Sequence, residues 1–254
     1  MNEPVVFGGA GPGAADLITL RGAQRLARAD VVLHDALTDP ALRELAPHAH
    51  WIDVGKRGFC DSTGQARINA LLVRHAREGR AVVRLKGGDP SVFGRLEEEL
   101  RALAEAGLAA EVVPGVTAAI ASAAATQRPL TRRGSGRSVA LTTAMTRAGE
   151  LRATRSADTE VFYMAGRQLG ALARRLAEAG WPRATPVLVV SRAGWPDQLA
   201  SDHRVDTLAE AAMLHSGRPT VVTVGVGATA LTDRARLPPG AAQGSVASGV
   251  GTAT

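Results

Sequence analysis

Val5-Val6-Phe7-Gly8-Gly9-Ala10-Gly11-Pro12-Gly13 is a short apolar run that ends in a cluster of glycines. Bounded in this way, it reads as a buried strand entering a tight loop. Downstream, Leu17, Leu20, Ala23, Leu26 and Ala27 recur at helical spacing, and Val31-Val32-Leu33 reads as a second strand. The stretch is therefore a strand, loop, helix, strand unit, which points to a parallel sheet with helices on its faces. The alternation continues with a strand at Trp51-Ile52-Asp53-Val54 and a helix over 68–75. A strand at 81–85, a helix over 96–106 and a strand at Glu111-Val112-Val113 complete the first run.

Pro114-Gly115 breaks the rhythm, and a small-residue helix over 116–125 leads into the basic connection 126–137. A second run follows, with strands at 138–143, 161–164, 187–190 and 220–224 and helices over 168–179 and 208–214. Its order is again read as strand then helix. The expected division is an N-terminal α/β domain over 1–115, a C-terminal α/β domain over 116–237 and a tail over 238–254. That tail is Gly, Ala, Ser, Thr and Pro, too poor in apolar residues to offset chain entropy, and is expected to be disordered.

Composition narrows the function classes. The 254 residues are 45% hydrophobic but 3% aromatic, which favours an α/β fold over a sandwich built on aromatic layers. No run reaches the ~20 apolar residues that span a bilayer, and no signal peptide is recognisable, so a cytoplasmic protein without membrane contact is expected. A single cysteine, Cys60, and histidines without ligand spacing argue against a disulfide scaffold and against a metal. The net charge of +6 favours an anionic partner. Nucleic acid is one such partner, but the cations are spread over every expected helix and aromatics for base stacking are few. Of the 30 basic residues only two are lysines, Lys56 and Lys86, both in glycine-rich surroundings. An ammonium can lose its proton where a guanidinium cannot.

Two glycine turns suggest ligands. Gly9-Ala10-Gly11-Pro12-Gly13 lets backbone amides approach a ligand, but it fits the dinucleotide fingerprint poorly, because Ala14 stands three after Gly11 and Pro12 interrupts the turn. A purely structural glycine turn is the alternative reading, and it is preferred to a dinucleotide site. Lys86-Gly87-Gly88-Asp89-Pro90 follows a strand, where Asp89 suits either a ligand hydroxyl or a helix cap. Glu97-Glu98-Glu99 reads as a solvated helix face.

Several stretches occur together in one order: the first glycine turn, Val-Val-Leu-His-Asp ending at Asp35, Val54-Gly55-Lys56-Arg57, Arg84-Leu85-Lys86-Gly87-Gly88-Asp89-Pro90 with Phe93-Gly94-Arg95, Val113-Pro114-Gly115-Val116-Thr117-Ala118, Pro129-Leu130-Thr131 with Arg133-Gly134, and Tyr163-Met164. This set, over residues 4 to 226, resembles the tetrapyrrole (class III) methyltransferases, and among them those acting on uroporphyrinogen III. The resemblance implies two αβα domains with the cofactor S-adenosylmethionine (SAM) in the cleft between them, commonly in a homodimer. It implies two methyl transfers giving precorrin-2, on the way to sirohaem or cobalamin, with S-adenosylhomocysteine as the second product. A methyltransferase of a later precorrin and a tetrapyrrole-binding protein without turnover are alternatives. Neither metal nor NAD is expected, since the pattern begins at residue 4 and leaves no room ahead of it for the dehydrogenase and chelatase module of some relatives.

Carried over residue by residue, the resemblance places SAM against Pro12, Gly87, Gly88, Asp89, Val92, Thr117, Ala118, Met164 and Ala193. It puts proton transfer on Asp35 and Lys56. Arg57, Arg128, Arg132 and Arg133 are candidates for pairing with substrate carboxylates. Three positions depart from the family pattern: Ala36, where an arginine is usual, Leu96-Glu97, where two glycines are usual, and Ala144-Met145, where Gly-His is usual. They bear on the substrate more than on the cofactor.

Overall fold

In the computed structural model, residues 3–55, 64–144 and 151–231 are described. Lys56, Arg57, Cys60 and the 238–254 tail lie outside them. The first half forms a five-stranded sheet in the order β3-β2-β4-β1-β5, built from β1 (Val5–Gly9), β2 (Val31–His34), β3 (His50–Asp53), β4 (Val82–Lys86) and β5 (Ala110–Val113). Every pairing in it is parallel. The three central strands are buried along their whole length, as expected where helices cover both faces.

Side chains alternate between those faces. Val5, Phe7, Val31, Leu33 and Val82 pack under α2 (Gln65–Arg77) and α3 (Leu96–Glu105). Val6, Val32, Val83 and Leu85 pack against α1 (Leu20–Leu26) and the 3-10 turn Pro40–Leu45. The inward stripe of α2 runs through Ile68, Leu72, His75 and Ala76 at helical spacing. That of α3 pairs Leu103 with Glu99, which is fully buried. The expectation of a solvated face is thus wrong for Glu99: at i and i+4 it lies on the same stripe as Leu103, and two cations of β4 meet it there.

The second half holds β6 (Val139–Thr143), β7 (Thr159–Tyr163), β8 (Pro186–Ser191), β9 (Leu199–Arg204) and β10 (Thr220–Gly225) in the order β6-β7-β10-β8-β9. β6 and β7 run parallel, but β10 is antiparallel to both β7 and β8, and β9 returns antiparallel to β8. This sheet is mixed, and β9 adds a strand to the sequence expectation. One face carries α5 (Leu169–Glu178) and the short α6 (Ala211–His215), which is preceded by a 3-10 turn over Leu208–Glu210. The other is covered by α4 (Ala118–Thr126), whose Ala119 and Ala121 pack on Val161, Val221, Leu188 and Val190. Among the described residues no helix is long and apolar enough to cross a membrane, and no group of three His, Cys, Asp or Glu is placed to hold a metal.

The loops leaving β1, β4 and β5 meet backbone against backbone at Gly9, Gly88 and Gly115. A Cβ on Gly115 would lie 2.3 Å from the Gly88 carbonyl oxygen and 2.7 Å from the Cα of Gly9. Gly115→Ala is therefore expected to cost about 1–3 kcal/mol through overpacking, read as a melting temperature lowered by several degrees. A variant melting like the parent would show that the loops can part without cost.

Candidate active site

β1 and β4 are neighbours, yet the chain leaves them in opposite directions, toward β2 from the one and toward β5 from the other. Crevices at such switch points are where open α/β sheets take ligands. Here the crevice floor is backbone. Gly88 N donates to the Gly11 carbonyl at 2.7 Å and Gly11 N to the Gly88 carbonyl at 3.3 Å. Asp89 fastens the third loop: its Oδ2 accepts from Gly115 N at 2.9 Å while Oδ1 accepts from Ser91 N at 2.7 Å. Of the two roles read for Asp89, the helix cap does not apply, since α3 starts only at Leu96 and Asp89 clamps two loops instead.

The second sheet closes the cavity with the ends of β7 and β8 and the start of β10. Pro12, Gly87, Gly88, Asp89, Val92, Thr117, Ala118, Met164 and Ala193 all line one cavity of about 200 Å³. Nine positions spread over 182 residues of chain are thus brought to one place. A larger hollow, about 510 Å³, lies by Ser156, Trp181 and Val226, but among the described residues no loop of the first sheet lines it.

Sequence reasoning missed Trp195 and Tyr163 in this lining. Trp195 Nε1 donates to the Pro12 carbonyl at 3.1 Å, and the Arg192 guanidinium lies 4.1 Å from its ring centroid. A Cβ on Gly13 would fall 1.6 Å from the indole nitrogen, so that glycine makes room for the tryptophan. In a chain with so few aromatics, a Trp inside Ala193-Gly194-Trp195-Pro196 was the available signal. Tyr163 bonds Thr117 Oγ1 at 2.7 Å and accepts from Ala119 N at 3.3 Å, pinning the start of α4 to the second sheet. Burial pushes its phenol above the ordinary range. Phe93 meets its ring at 5.0 Å. Met164 and Arg192, both on the rim, hold the left-handed conformation that costs a side chain about 1 kcal/mol or more.

Asp35 follows β2 and is about one-third exposed, with its Oδ1 accepting from Arg84 Nη2 at 2.5 Å. It lines a second hollow of about 220 Å³ with His34, Thr38, Arg43 and Trp51. Leu37, two residues on, lines the cavity of Pro12 and Gly88, so the two spaces meet across one turn. Gly55 packs directly on that turn, since a Cβ there would fall 2.1 Å from Ala36 N. The next residue, Lys56, is outside the described residues, as is Arg57.

The arginines offered for substrate carboxylates separate. Arg128 is buried, and its guanidinium grips both oxygens of Asp202 and the Ala228 carbonyl, so it is spent on joining α4's end to the second sheet. It is withdrawn from the substrate set. Arg132 donates to the Thr229 carbonyl, and Arg133 is exposed. Neither lines the cavity.

Comparison with known proteins agrees with this geometry. Residues 4–212 match the family model of the Tetrapyrrole (Corrin/Porphyrin) Methylases. The uroporphyrinogen-III C-methyltransferase of Pseudomonas aeruginosa is 40% identical over 230 residues, 89% of this chain and 94% of that protein. A siroheme synthase of Neisseria meningitidis serogroup C is 42% identical over 223 residues, 85% of this chain but 46% of its own length, so the chain spans about half of that relative. The crystal structure of uroporphyrin-III C-methyltransferase from Thermus thermophilus complexed with S-adenyl homocysteine matches with a TM-score of 0.77 at 36% identity, covering 88% of this chain and 97% of that one. With its two-sheet α/β architecture and its family pattern over most of its length, the chain belongs to the tetrapyrrole (corrin/porphyrin) methylases.

Proposed function

We propose that this chain is a SAM-dependent C-methyltransferase that converts uroporphyrinogen III to precorrin-2 by two methyl transfers, feeding sirohaem or cobalamin synthesis. The observation that carries the reading is the convergence on one cavity of the nine residues the resemblance assigns to SAM. The lining fits that molecule: the peptide groups of Gly87 and Gly88 are bare of side chains, and Val190, Ala193 and Val221 offer apolar surface to a flat base. When bound, SAM supplies an electrophilic methyl group and leaves as S-adenosylhomocysteine.

The chain's own residues then orient the macrocycle and handle the proton that a methylated pyrrole carbon must lose elsewhere in the ring. Asp35 accepts that proton on the oxygen that Arg84 does not hold. Lys56 is its partner, an assignment supported by Gly55 resting on Ala36. Arg57, Arg132 and Arg133 remain as partners for substrate carboxylates. We take 1–115 and 116–237 as the two domains, divided at Pro114-Gly115, and we place the protein in the cytoplasm as a homodimer, the last on the family resemblance.

Incubation of the protein with SAM and uroporphyrinogen III should add two methyl groups by mass spectrometry. No gain, with SAM still bound, would move the substrate to a later precorrin. Gly88 has φ +72°, where a β-branched residue is strained, so Gly88→Val should weaken SAM binding at least tenfold by calorimetry. Unchanged affinity in a folded variant would remove this turn from the site. Lys56→Arg tests proton exchange against charge, because a guanidinium keeps its proton at any working pH. Single-turnover methyl transfer at saturating SAM should fall by roughly 10²–10⁴ in Lys56→Arg, nearly as in Lys56→Ala. Parental turnover in the arginine variant would leave Lys56 only an electrostatic role.

A further inference from the structure

On the face of β4 turned toward α2 and α3, Arg84 and Lys86 stand two residues apart, both buried. Glu99 of α3 lies between them. Lys86 Nζ donates to Glu99 Oε2 at 2.6 Å and Arg84 Nε to Glu99 Oε1 at 3.0 Å. The rest of the guanidinium is also engaged: Nη1 donates to the carbonyls of Leu33 at 3.3 Å and Leu85 at 3.1 Å, and Nη2 to Asp35 Oδ1 at 2.5 Å. Gln65 Nε2 reaches Glu99 Oε1 at 3.3 Å and Asn69 Oδ1 at 3.0 Å.

Two cations and two carboxylates balance, but they are not arranged as two closed pairs. Glu99 takes a cation on each oxygen, and Asp35 is the one member of the four that reaches toward solvent. Burying an ion costs several kcal/mol unless it is paired, so Arg84 is not free to turn away from Glu99 or from Asp35. Burial first, and then the neighbouring Arg84, lower the Lys86 ammonium from its ordinary range, while Glu99 opposes them. Asp35 opposes them as well, more weakly than Glu99.

We propose that Glu99 is a positioning residue for Asp35, acting through Arg84: it fixes the guanidinium from behind, so that one carboxylate oxygen of Asp35 is held and the other is presented for the proton. Lys86 balances the second oxygen of Glu99. The assignment rests on Asp35 being the proton acceptor of the proposed methyl transfer.

The test is a double-mutant cycle on the full chain, with Asp35→Asn as its second arm. Glu99→Leu combined with Lys86→Met removes the carboxylate together with its second cation, so the interior keeps one cation and one carboxylate and the fold stays balanced. Glu99→Gln, which preserves volume, serves as the second route to the same cycle. Rates are read as single-turnover methyl transfer to uroporphyrinogen III at saturating SAM, with SAM affinity measured by calorimetry.

With Asp35 present, the Glu99 change should slow transfer about 10–100-fold, as expected when a catalytic group is misplaced. In the Asp35→Asn background it should slow transfer less than about threefold, because nothing remains to be positioned. SAM affinity should stay within about twofold, since none of the four residues lines the SAM cavity. Equal slowing in both backgrounds, or no slowing with Asp35 intact, overturns the positioning role. Parental turnover in Asp35→Asn alone would instead overturn the role given to Asp35, a result separable from the other two.

Discussion

The carbonyl oxygen of Gly88 occupies the space that a side chain on either Gly9 or Gly115 would need, at 2.7 Å and 2.3 Å from the respective Cβ positions. Three loops from three adjacent parallel strands are therefore packed peptide against peptide. The arrangement decides what the cavity floor is made of, because no side chain stands between the backbone and a ligand above it. It also explains why Asp89 serves as a clamp. The Gly11–Gly88 hydrogen bonds join the first two loops, and the Asp89 carboxylate, accepting from Ser91 N and Gly115 N, fixes the level of the third. α4 then begins at a defined height, and Thr117 and Ala119 meet Tyr163 of the second sheet.

Charge on β4 is the second constraint, and it accounts for a lysine retained in a chain otherwise rich in arginine. The Lys86 stem runs under Gly94, where even a Cβ would approach Lys86 Cε to 3.0 Å. A guanidinium is wider than an ammonium and needs a planar slot, which Arg84 already occupies on the other oxygen of Glu99.

The first sheet was legible because parallel strands buried on both faces are continuous apolar runs, and the intervening helices carry a clear stripe. β9 was not legible. Leu199-Ala200-Ser201-Asp202-His203-Arg204 is an edge strand with one side half exposed, and its pairing with β8 comes from tertiary contact rather than from hydrophobicity. Regular alternation of strands and helices also hid the reversal of β10, since the pattern of elements is the same whether a strand enters the sheet parallel or antiparallel. At the site, the glycine turns and Asp35 were visible as motifs. Glu99 was not, because three consecutive glutamates differ only in which way the helix turns them, and only the third lies on the stripe of Leu103. Arg128 was misread for a related reason: Asp202, the carboxylate that claims it, is 74 residues away.

The two sheets contribute different chemistry for a topological reason. In the parallel sheet every strand ends on the same side, so the loops after β1, β2, β4 and β5 all emerge toward one crevice, bringing glycines, Asp35 and Asp89 with them. The mixed sheet sends only the ends of β7 and β8 and the start of β10 there, since β10 runs the other way. Its share of the lining is mostly apolar or aromatic, with Tyr163, Val190, Trp195 and Val221 forming wall rather than floor beside Arg192 and Thr220. Asp35, the proposed proton acceptor, is thereby anchored in the sheet whose interior holds Arg84, Lys86 and Glu99. The proposed proton acceptor and the largely apolar wall of the cavity are thus built on different sheets.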